Sequence, residues 1–556
     1  MFTINFYRWW GLLICLVLSS TTGTFAAPLI SEFMAANVSR LADEDGDFSD
    51  WIEVHNPDNV AVPLAGYHLT DDAANLDKWT FPAVNLNPGA TLVVFASGKN
   101  RTAPSVPTAR LHTNFRLSAD GEYLALVAPD GVTVVSAFAP SYPRQFRDES
   151  FGLDLDFGSP LADDLVWSFF SIPTPGKPNK NGTHAGPIIS VVEKNPTQPE
   201  VGPLTVSVVV RSTNEPVVTV KLYYRKMFER DTMLPMNDDG IEGDAVASDG
   251  VWTAVIPGKA FAPGEMTRWR FVATDRDGTA TKEPAYRARL DSHKYFGTVA
   301  LDSRIRSFLP VLHWFTRNVS AAGSSGGSRG ALYYNGEFYD NVFFRRHGQS
   351  SAGFPKKSYN IDFNRTQRFR WNANAPRVAD IDLLTNWADK SKVRHVLAYE
   401  VMRESGVAAH FAHTVRVQHN GGFFSTADLV EDADETYLER AGLNTDGALY
   451  KIYANSLNKD SGNNATTGVE KKTRRFENNA DLQSLINGLD LRGQALVNYL
   501  YDNIDIPRCV NLLAANSVIR NIDMHRKNWY IYRDTGQSGE WAILPWDLDL
   551  SHGRTW

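Results

Sequence analysis

A chain of 556 residues is too long for a single hydrophobic core and is read as two to four domains. Its 56 Lys and Arg against 63 Asp and Glu leave a formal charge of -7, which excludes a general nucleic-acid or acidic-membrane binder and little else.

The opening residues, MFTINFYRWWGLLICLVLSSTTGTFAAPLI, set Arg8 before an apolar core from Gly11 to Leu18, then small residues with Thr24 and Ala26 placed for cleavage. That pattern predicts a secretory signal peptide over 1–27 and hence a periplasmic, cell-surface or extracellular protein. A membrane anchor is the weaker reading, because so short an apolar run cannot span a hydrocarbon core of about 30 Å. Cys15 follows Ile14 rather than a small residue, which argues against lipidation. Cys509 is then the only cysteine after the leader and is expected as a buried small hydrophobe, so the exported chain relies on packed cores and not on disulfides.

Residues 28–170 read as short alternating strands between Gly, Pro and Asp clusters, among them DWIEVHN, AGYHLTD, TLVVFAS and EYLALVAPDG, which predicts an antiparallel β-sandwich. The string LISEFMAANVSRLADEDGDFSDWIEVHNPDNVAVPLAGYHLTDD, with SIPTPGKPNKNG closing it, resembles the lamin-tail domain, an immunoglobulin-like module of many secreted bacterial proteins. The resemblance implies attachment to a cell-surface or envelope component rather than chemistry. The acidic loop Asp43 to Asp50 offers carboxylates to Ca²⁺, although a solvated turn is the simpler reading because the full spacing of a calcium loop is missing. A Pro/Gly/Asn-rich stretch, 171–187, reads as a linker. Residues 188–291 then predict a second immunoglobulin- or fibronectin-like β-module from PLTVSVVVRS, VVTVKLYYRK, GVWTAVIP and TRWRFVATDRDG, with NDDGIEGDAVASDG as a loop and a weaker Ca²⁺ candidate.

From 292 to 556 the pattern turns to α+β. Strands are expected near Ala331–Tyr333, Phe338–Arg345 and Ser358–Phe363, and helices over 389–406, 434–441, 480–490 and 491–505. Asp389 is placed as N-cap of the first of these helices and Gly406 as its stop. On a wheel, Val393, Val396, Leu397 and Val401 form its apolar stripe, and Glu400 falls within about 20° of Val393. A carboxylate so placed either meets a cation, with Lys356 and Lys357 as donors, or reaches solvent at the stripe's edge.

The stretch NIDMHRKNWYIYRDTGQSGEWAILPWDLDLSHG carries the chemistry. Asp523 and Asn528 have the Asp-x-x-x-x-Asn spacing of a kinase catalytic loop, where the Asp accepts a hydroxyl proton and the Asn holds metal. A strand, a turn and a second strand follow, and Asp547 stands 24 residues after Asp523. At that place a carboxylate would bind the cation bridging the phosphates, and Asp549, two residues on along a strand, would share its face as a second ligand.

The strings FRRHGQSSAGFPKKSYNIDF, WADKSKVRHVLAYEVMRESG, FSTADLVEDADETYLERAG, GALYKIY, NIDMHRKNWYIY and ILPWDLDLSHG together resemble the CotH kinases, secreted atypical protein kinases, over most of 330–553. The resemblance implies a two-lobed kinase-like domain that uses ATP with Mg²⁺ or Mn²⁺ to phosphorylate Ser or Thr hydroxyls of a protein substrate. It implies Asp523 as catalytic, Asp547 and Asn528 as metal-binding, and Lys357, or its rival Lys356, on the phosphates with Glu400 as helix partner. Arg346, Ser350 and Ser351 in the RHGQSSAG loop would add donors to the phosphates, and Glu431 falls where a nucleotide edge is expected. Kinase-like domains continue with helices beyond the strand that ends near Trp556, so an incomplete C-lobe is expected. Two other readings stand beside it: an adhesion or envelope protein whose third domain binds nucleotide without turnover, and a nucleotidyl transferase moving AMP. No nucleic-acid partner and no stable membrane insertion are expected.

Overall fold

The computed structural model describes residues 27–103, 110–154, 166–200, 202–286, 292–348, 350–524 and 527–553, so the leader expected over 1–27 lies almost wholly outside the described residues. Among the described residues, no helix is long and apolar enough to cross a membrane. The chain divides into two compact units: 1–188 with 212–216 and 275–279, and 189–211 with 217–274 and 280–556. Strand dominates, and apart from one turn at Val319–Ala322 the described α-helices all lie beyond residue 393.

In the first unit, seven strands make one sheet in the order Thr183–His184, Trp167–Phe170, Ser150–Leu153, Leu29–Met34, Asp50–His55, Thr91–Ala96, Leu111–His112. A four-stranded sheet of Val134–Phe138, Leu124–Val127, His68–Thr70 and Trp79–Thr80 shares its core. Alternation drives the packing: Ile52 and Val54 point into that core with Phe33, Val94, Leu69 and Leu126. Two carboxylates break the pattern, because Glu32 and Glu53 are fully buried. Both hold the stretch after the Trp167–Phe170 strand, Glu32 accepting from the Thr174 N–H at 3.1 Å and Glu53 from the Gly176 N–H at 2.5 Å. The acidic loop needs no added cation. Lys99 Nζ sits among Asp43, Asp45 and Asp47 at 2.6, 2.6 and 2.9 Å, so the ammonium group occupies the position considered for Ca²⁺.

The second unit begins with a three-stranded sheet, Ile188–Asn195, Leu204–Arg211 and Val251–Ile256, and a sheet built on Val217–Lys226 and Met266–Asp275. Val206, Val208, Leu222, Trp269 and Phe271 are in their common core. In the NDDGIEGDAVASDG loop, Asp238 accepts from the N–H groups of Asp249 and Gly250, and Asp244 from that of Gly240. The chain's own amides thus hold carboxylates considered there for Ca²⁺.

A closed barrel follows, in the order Val311–Phe315, Ser328–Tyr334, Glu337–His347, Ser358–Asp362, Asp380–Leu384, Gly422–Glu431, Ala412–His419. It closes where Val311–Phe315 runs parallel to Ala412–His419, and Trp314, Phe344, Ile361, Leu383 and Val415 fill it. Gly330 lies against the first strand so closely that a Cβ would stand 1.9 Å from the Phe315 carbonyl oxygen, so no larger residue fits this seam. Beyond the barrel, Val469–Lys471, Ala448–Ile452, Trp529–Arg533 and Trp541–Pro545 form a four-stranded sheet. Helix Ala480–Leu489 covers one face of it through Leu482, Leu485 and Ile486, packed with Tyr450, Ile531 and Trp541.

Two helices depart from expectation. Helix Arg394–Glu404 starts five residues after Asp389, with Val393 and not Asp389 as its cap, although the Asp389 carboxylate still accepts from the Arg394 N–H at 3.3 Å. Gly406 does end it, at φ +75°. Helix Ile506–Ile519 was not anticipated. Its signal is Asp505-Ile-Pro: the Asp505 side chain accepts from the Arg508 N–H, and proline stands in the first turn where no N–H is needed. Cys509, on this helix, is half-buried, and burial pushes its thiol up.

Candidate active site at the end of the C-terminal sheet

Hairpin register assembles the site. Trp529 pairs with Pro545, so the loop that ends at Asn528 and the turn that opens at Trp546 leave the same end of the sheet. Two backbone bonds fix that loop: the Asn528 N–H donates to the Ile452 carbonyl at 3.0 Å, and the Ile522 N–H to the Leu550 carbonyl at 3.3 Å. Asn528 and Asp547 both take the left-handed backbone, at φ +66° and +54°. That region is accessible to Asn and Asp at less cost than to most residues, so these side chains suit the turn as well as the chemistry.

The Asp523 carboxylate accepts from Asn528 Nδ2 at 2.8 Å and lies 3.1 Å from Lys527 Nζ. It borders an open pocket of about 470 Å³, lined also by Lys527, Tyr453, Asn455, Ser456 and Asn463. The amide of Asn528 bonds through nitrogen, which leaves its Oδ1 for another partner. Asp547 is half-buried, and among the described residues no cation lies within ion-pair distance of its carboxylate. A carboxylate oxygen and an amide oxygen are hard donors of the kind that Mg²⁺ or Mn²⁺ takes. The Asp547 N–H donates to the Tyr399 hydroxyl oxygen at 3.2 Å, which ties the turn to helix Arg394–Glu404.

Next to Asp547, Trp546 is packed against His410 and Tyr530, with ring centroids 5.0 and 5.4 Å away. Lys451 Nζ lies 4.2 Å from the Trp546 ring centroid. Across from it the barrel presents a buried pair, His347 Nδ1 to Asp382 Oδ1 at 2.9 Å. Burial opposes charge on both partners, but their attraction outweighs it: the imidazole is raised and the carboxyl is held well below its usual range. Lys451 and Asp547 both act on His347 through space. Lys472, by contrast, is bound to Asp432 at 2.7 Å. None of His347, Asp382, Lys451 and Lys472 was anticipated as a site residue. The alternation of EFYDNVFFRRH and IDLL, which puts His347 and Asp382 on the side away from Phe344 and Leu383, was their available signal.

Several expected partners do not meet. Helix Arg394–Glu404 buries His395, Ala398, Tyr399 and Met402, and it exposes Glu400 together with Val393 and Leu397. Its two faces are nearly equally apolar, so the wheel picked the solvent side, and Glu400 forms no pair with Lys357. Lys357 Nζ folds back onto the Ala352 carbonyl, closing its own loop. Lys356 Nζ donates to the Phe424 carbonyl, 5.6 and 5.7 Å from the Phe423 and Phe424 ring centroids. Glu431 is buried, with its carboxylate on Arg440 at 2.8 Å and on the Phe411 N–H at 2.9 Å, so it presents no nucleotide edge. Asp549 is not on a strand: the strand stops at Pro545 and Leu548–Leu550 is a 3₁₀ turn, so strand alternation does not align it with Asp547. Arg346 is half-buried in the barrel, opposite Tyr359. Ser350 and Ser351 open a short 3₁₀ turn, and their side chains lie outside those described.

A β-sandwich unit followed by a barrel and a sheet whose end carries Asp523, Asn528 and Asp547 is the class of protein that the fold defines. Residues 344–556 match the family model described as CotH kinase protein, and residues 23–139 match that of the Lamin Tail Domain. Both likenesses are those that the sequence strings implied. It is similar to the Inner spore coat protein H of Bacillus subtilis (strain 168), 28% identical over 216 residues, which is 37% of this chain. The match spans 58% of that relative's length. Among solved structures, a purple acid phosphatase, PPD1, from yellow lupin (Lupinus luteus) seeds covers 52% of this chain and 44% of its own at 10% identity. Its TM-score of 0.19 is too low to carry an argument.

Proposed function

We propose that the C-terminal segment is a protein kinase that transfers the γ-phosphoryl group of ATP to a Ser or Thr hydroxyl. One observation carries this reading: Asp523, held by Asn528 and Lys527, borders an open pocket at the same sheet end as Asp547, whose carboxylate has no ion-pair partner among the described residues. Asp523 orients the substrate hydroxyl and takes its proton as the hydroxyl oxygen bonds to the γ-phosphorus. The bond from that phosphorus to the β–γ bridging oxygen breaks, and ADP leaves with the electron pair. Lys527 holds the Asp523 carboxylate in place. Mg²⁺ or Mn²⁺, held by Asp547 and Asn528 Oδ1, would neutralise the phosphate charge. The spore-coat likeness supports an extracellular or envelope setting, and the lamin tail domain a role in holding the chain to a surface component.

The test is transfer of ³²P from γ-labelled ATP to protein, with Mg²⁺ or Mn²⁺. Asp523→Ala and Asp547→Ala are each expected to lower transfer at least about a hundredfold. ATP labelled at the α-phosphate separates the readings: label retained on protein from it would mean AMP transfer. Metal-dependent binding with neither transfer would leave a nucleotide-binding scaffold.

A further inference from the structure

We propose that Lys451, and neither Lys356 nor Lys357, contacts the phosphates of the bound nucleotide; the inference rests on the nucleotide reading above. Lys451 lies on strand Ala448–Ile452, whose Tyr450 and Ile452 face the core beneath helix Ala480–Leu489. Alternation therefore sends Lys451 to the opposite face, where Leu449 packs with Tyr530 and Trp546. There its ammonium rests on the Trp546 ring, one residue before Asp547, with that ring held by His410 and Tyr530. The ring positions a cation without using its N–H donors.

Those donors are open. Among the described residues, no carboxylate lies within ion-pair distance of Lys451 Nζ, although Asp382 is close enough to feel its charge. Each rival lysine already has a fixed place: Lys356 on the Phe424 carbonyl, Lys357 on that of Ala352, Lys472 on Asp432 and Lys527 on Asp523. A lysine held by the indole face of the residue before Asp547, with no ion-pair partner among the described residues, suits a polyphosphate that brings its own metal. The site is thus assigned a nucleoside triphosphate by its phosphate chain, with Lys451 on one side and Asp547 on the other.

The experiment measures binding to the full chain by calorimetry, in Mg²⁺, with ATP, tripolyphosphate and adenosine as probes, for wild type, Lys451→Met, Lys451→Arg, Lys356→Met and Lys357→Met. Lys451→Met is expected to weaken ATP and tripolyphosphate about tenfold or more and to leave adenosine unchanged, while Lys451→Arg, which keeps a cation on the indole, stays near wild type. The two other lysine variants are expected to bind as wild type does. Unfolding temperatures without ligand separate lost contacts from lost fold, and the Arg variant carries the test if the Met variant does not fold, since a cation retained there must preserve tripolyphosphate binding. Undiminished ATP binding by Lys451→Met, with the loss found in Lys357→Met, would overturn the assignment and leave the nucleotide reading standing. Wild-type protein that binds neither ATP nor tripolyphosphate would bring down both.

Discussion

Two acidic regions of this molecule look alike in the sequence and differ in the fold. In the lamin tail domain, Asp43, Asp45 and Asp47 converge on Lys99, which makes three ion pairs within 2.9 Å. At the end of the C-terminal sheet, Asp547 has no such cation among the described residues, and Lys451 is held back on an indole ring. The first cluster is neutralised by its own chain and is a structural device. The second, among the described residues, leaves the Asp547 carboxylate without an ion-pair partner, which is a condition that suits a charged ligand. Acidic spacing alone therefore does not distinguish a structural cluster from a candidate metal position.

The sharpest way to break this distinction is to open a closed pair. Glu431 is one of the buried acids of the barrel strands, and burial raises its carboxyl even against Arg440. Glu431→Ala leaves that guanidinium and the Phe411 N–H without their acceptor, and is expected to cost about 3–5 kcal/mol in denaturant unfolding of the second unit. A stable variant that had lost nucleotide binding instead would put Glu431 among the functional groups. Lys99→Met removes the only cation that, among the described residues, lies within ion-pair distance of the Asp43 carboxylate, which is shielded from solvent. The expected loss is about 2–3 kcal/mol, read as faster hydrogen exchange in strand Asp50–His55. Millimolar Ca²⁺ should recover part of it in the variant and leave wild type unchanged, since only the variant has a vacant acidic cradle.

A third contrast lies within the lamin tail domain. Asp43 and Asp45 are held below their usual range, the first by Lys99 against the pull of burial and the second by Arg101 and Lys99, so both stay ionised near neutrality. Burial pushes Asp50 and Glu53 up to about 7 instead. A carboxyl raised on folding adds stability that is complete below its unfolded pKa and is lost as pH rises through the folded value. Between pH 6 and 8 the domain is thus expected to lose about 1–2 kcal/mol with rising pH, seen as falling exchange protection of strands Leu29–Met34 and Asp50–His55. His55, whose imidazole burial pushes down, opposes this trend on the acid side of the window. Glu53→Gln should flatten the slope.

Legibility followed range of interaction. Period-two alternation in DWIEVHN and TLVVFAS made the strands of the first unit readable, and the family strings carried Asp523, Asn528 and Asp547 because they lie in one short hairpin. Residues whose role depends on distant elements were not readable. Lys451 and Tyr530 are set opposite each other by pairing of strands about 80 residues apart in sequence, and the His347–Asp382 pair is made by the barrel register. Glu431 read as a nucleotide-edge residue because its partner, Arg440, stands nine residues on across a turn and a helix.

The smallest expected effect concerns the helix that the wheel misassigned. Helix Arg394–Glu404 buries Tyr399, whose hydroxyl accepts from the Asp547 N–H, and turns Glu400 to solvent. If Glu400 partnered a phosphate-binding lysine, Glu400→Gln would weaken ATP binding and lower transfer together. Its exposure implies the opposite: a change within about 0.5 kcal/mol in stability and no change in nucleotide affinity, because an exposed carboxylate exchanges one hydrated polar group for another. Tyr399→Phe on the same helix is the informative counterpart, since it removes the oxygen that the Asp547 amide reaches and adds no charge. A nucleotide affinity that responds to Tyr399→Phe and ignores Glu400→Gln would show that this helix acts on the site by holding the Asp547 turn, through its buried face alone.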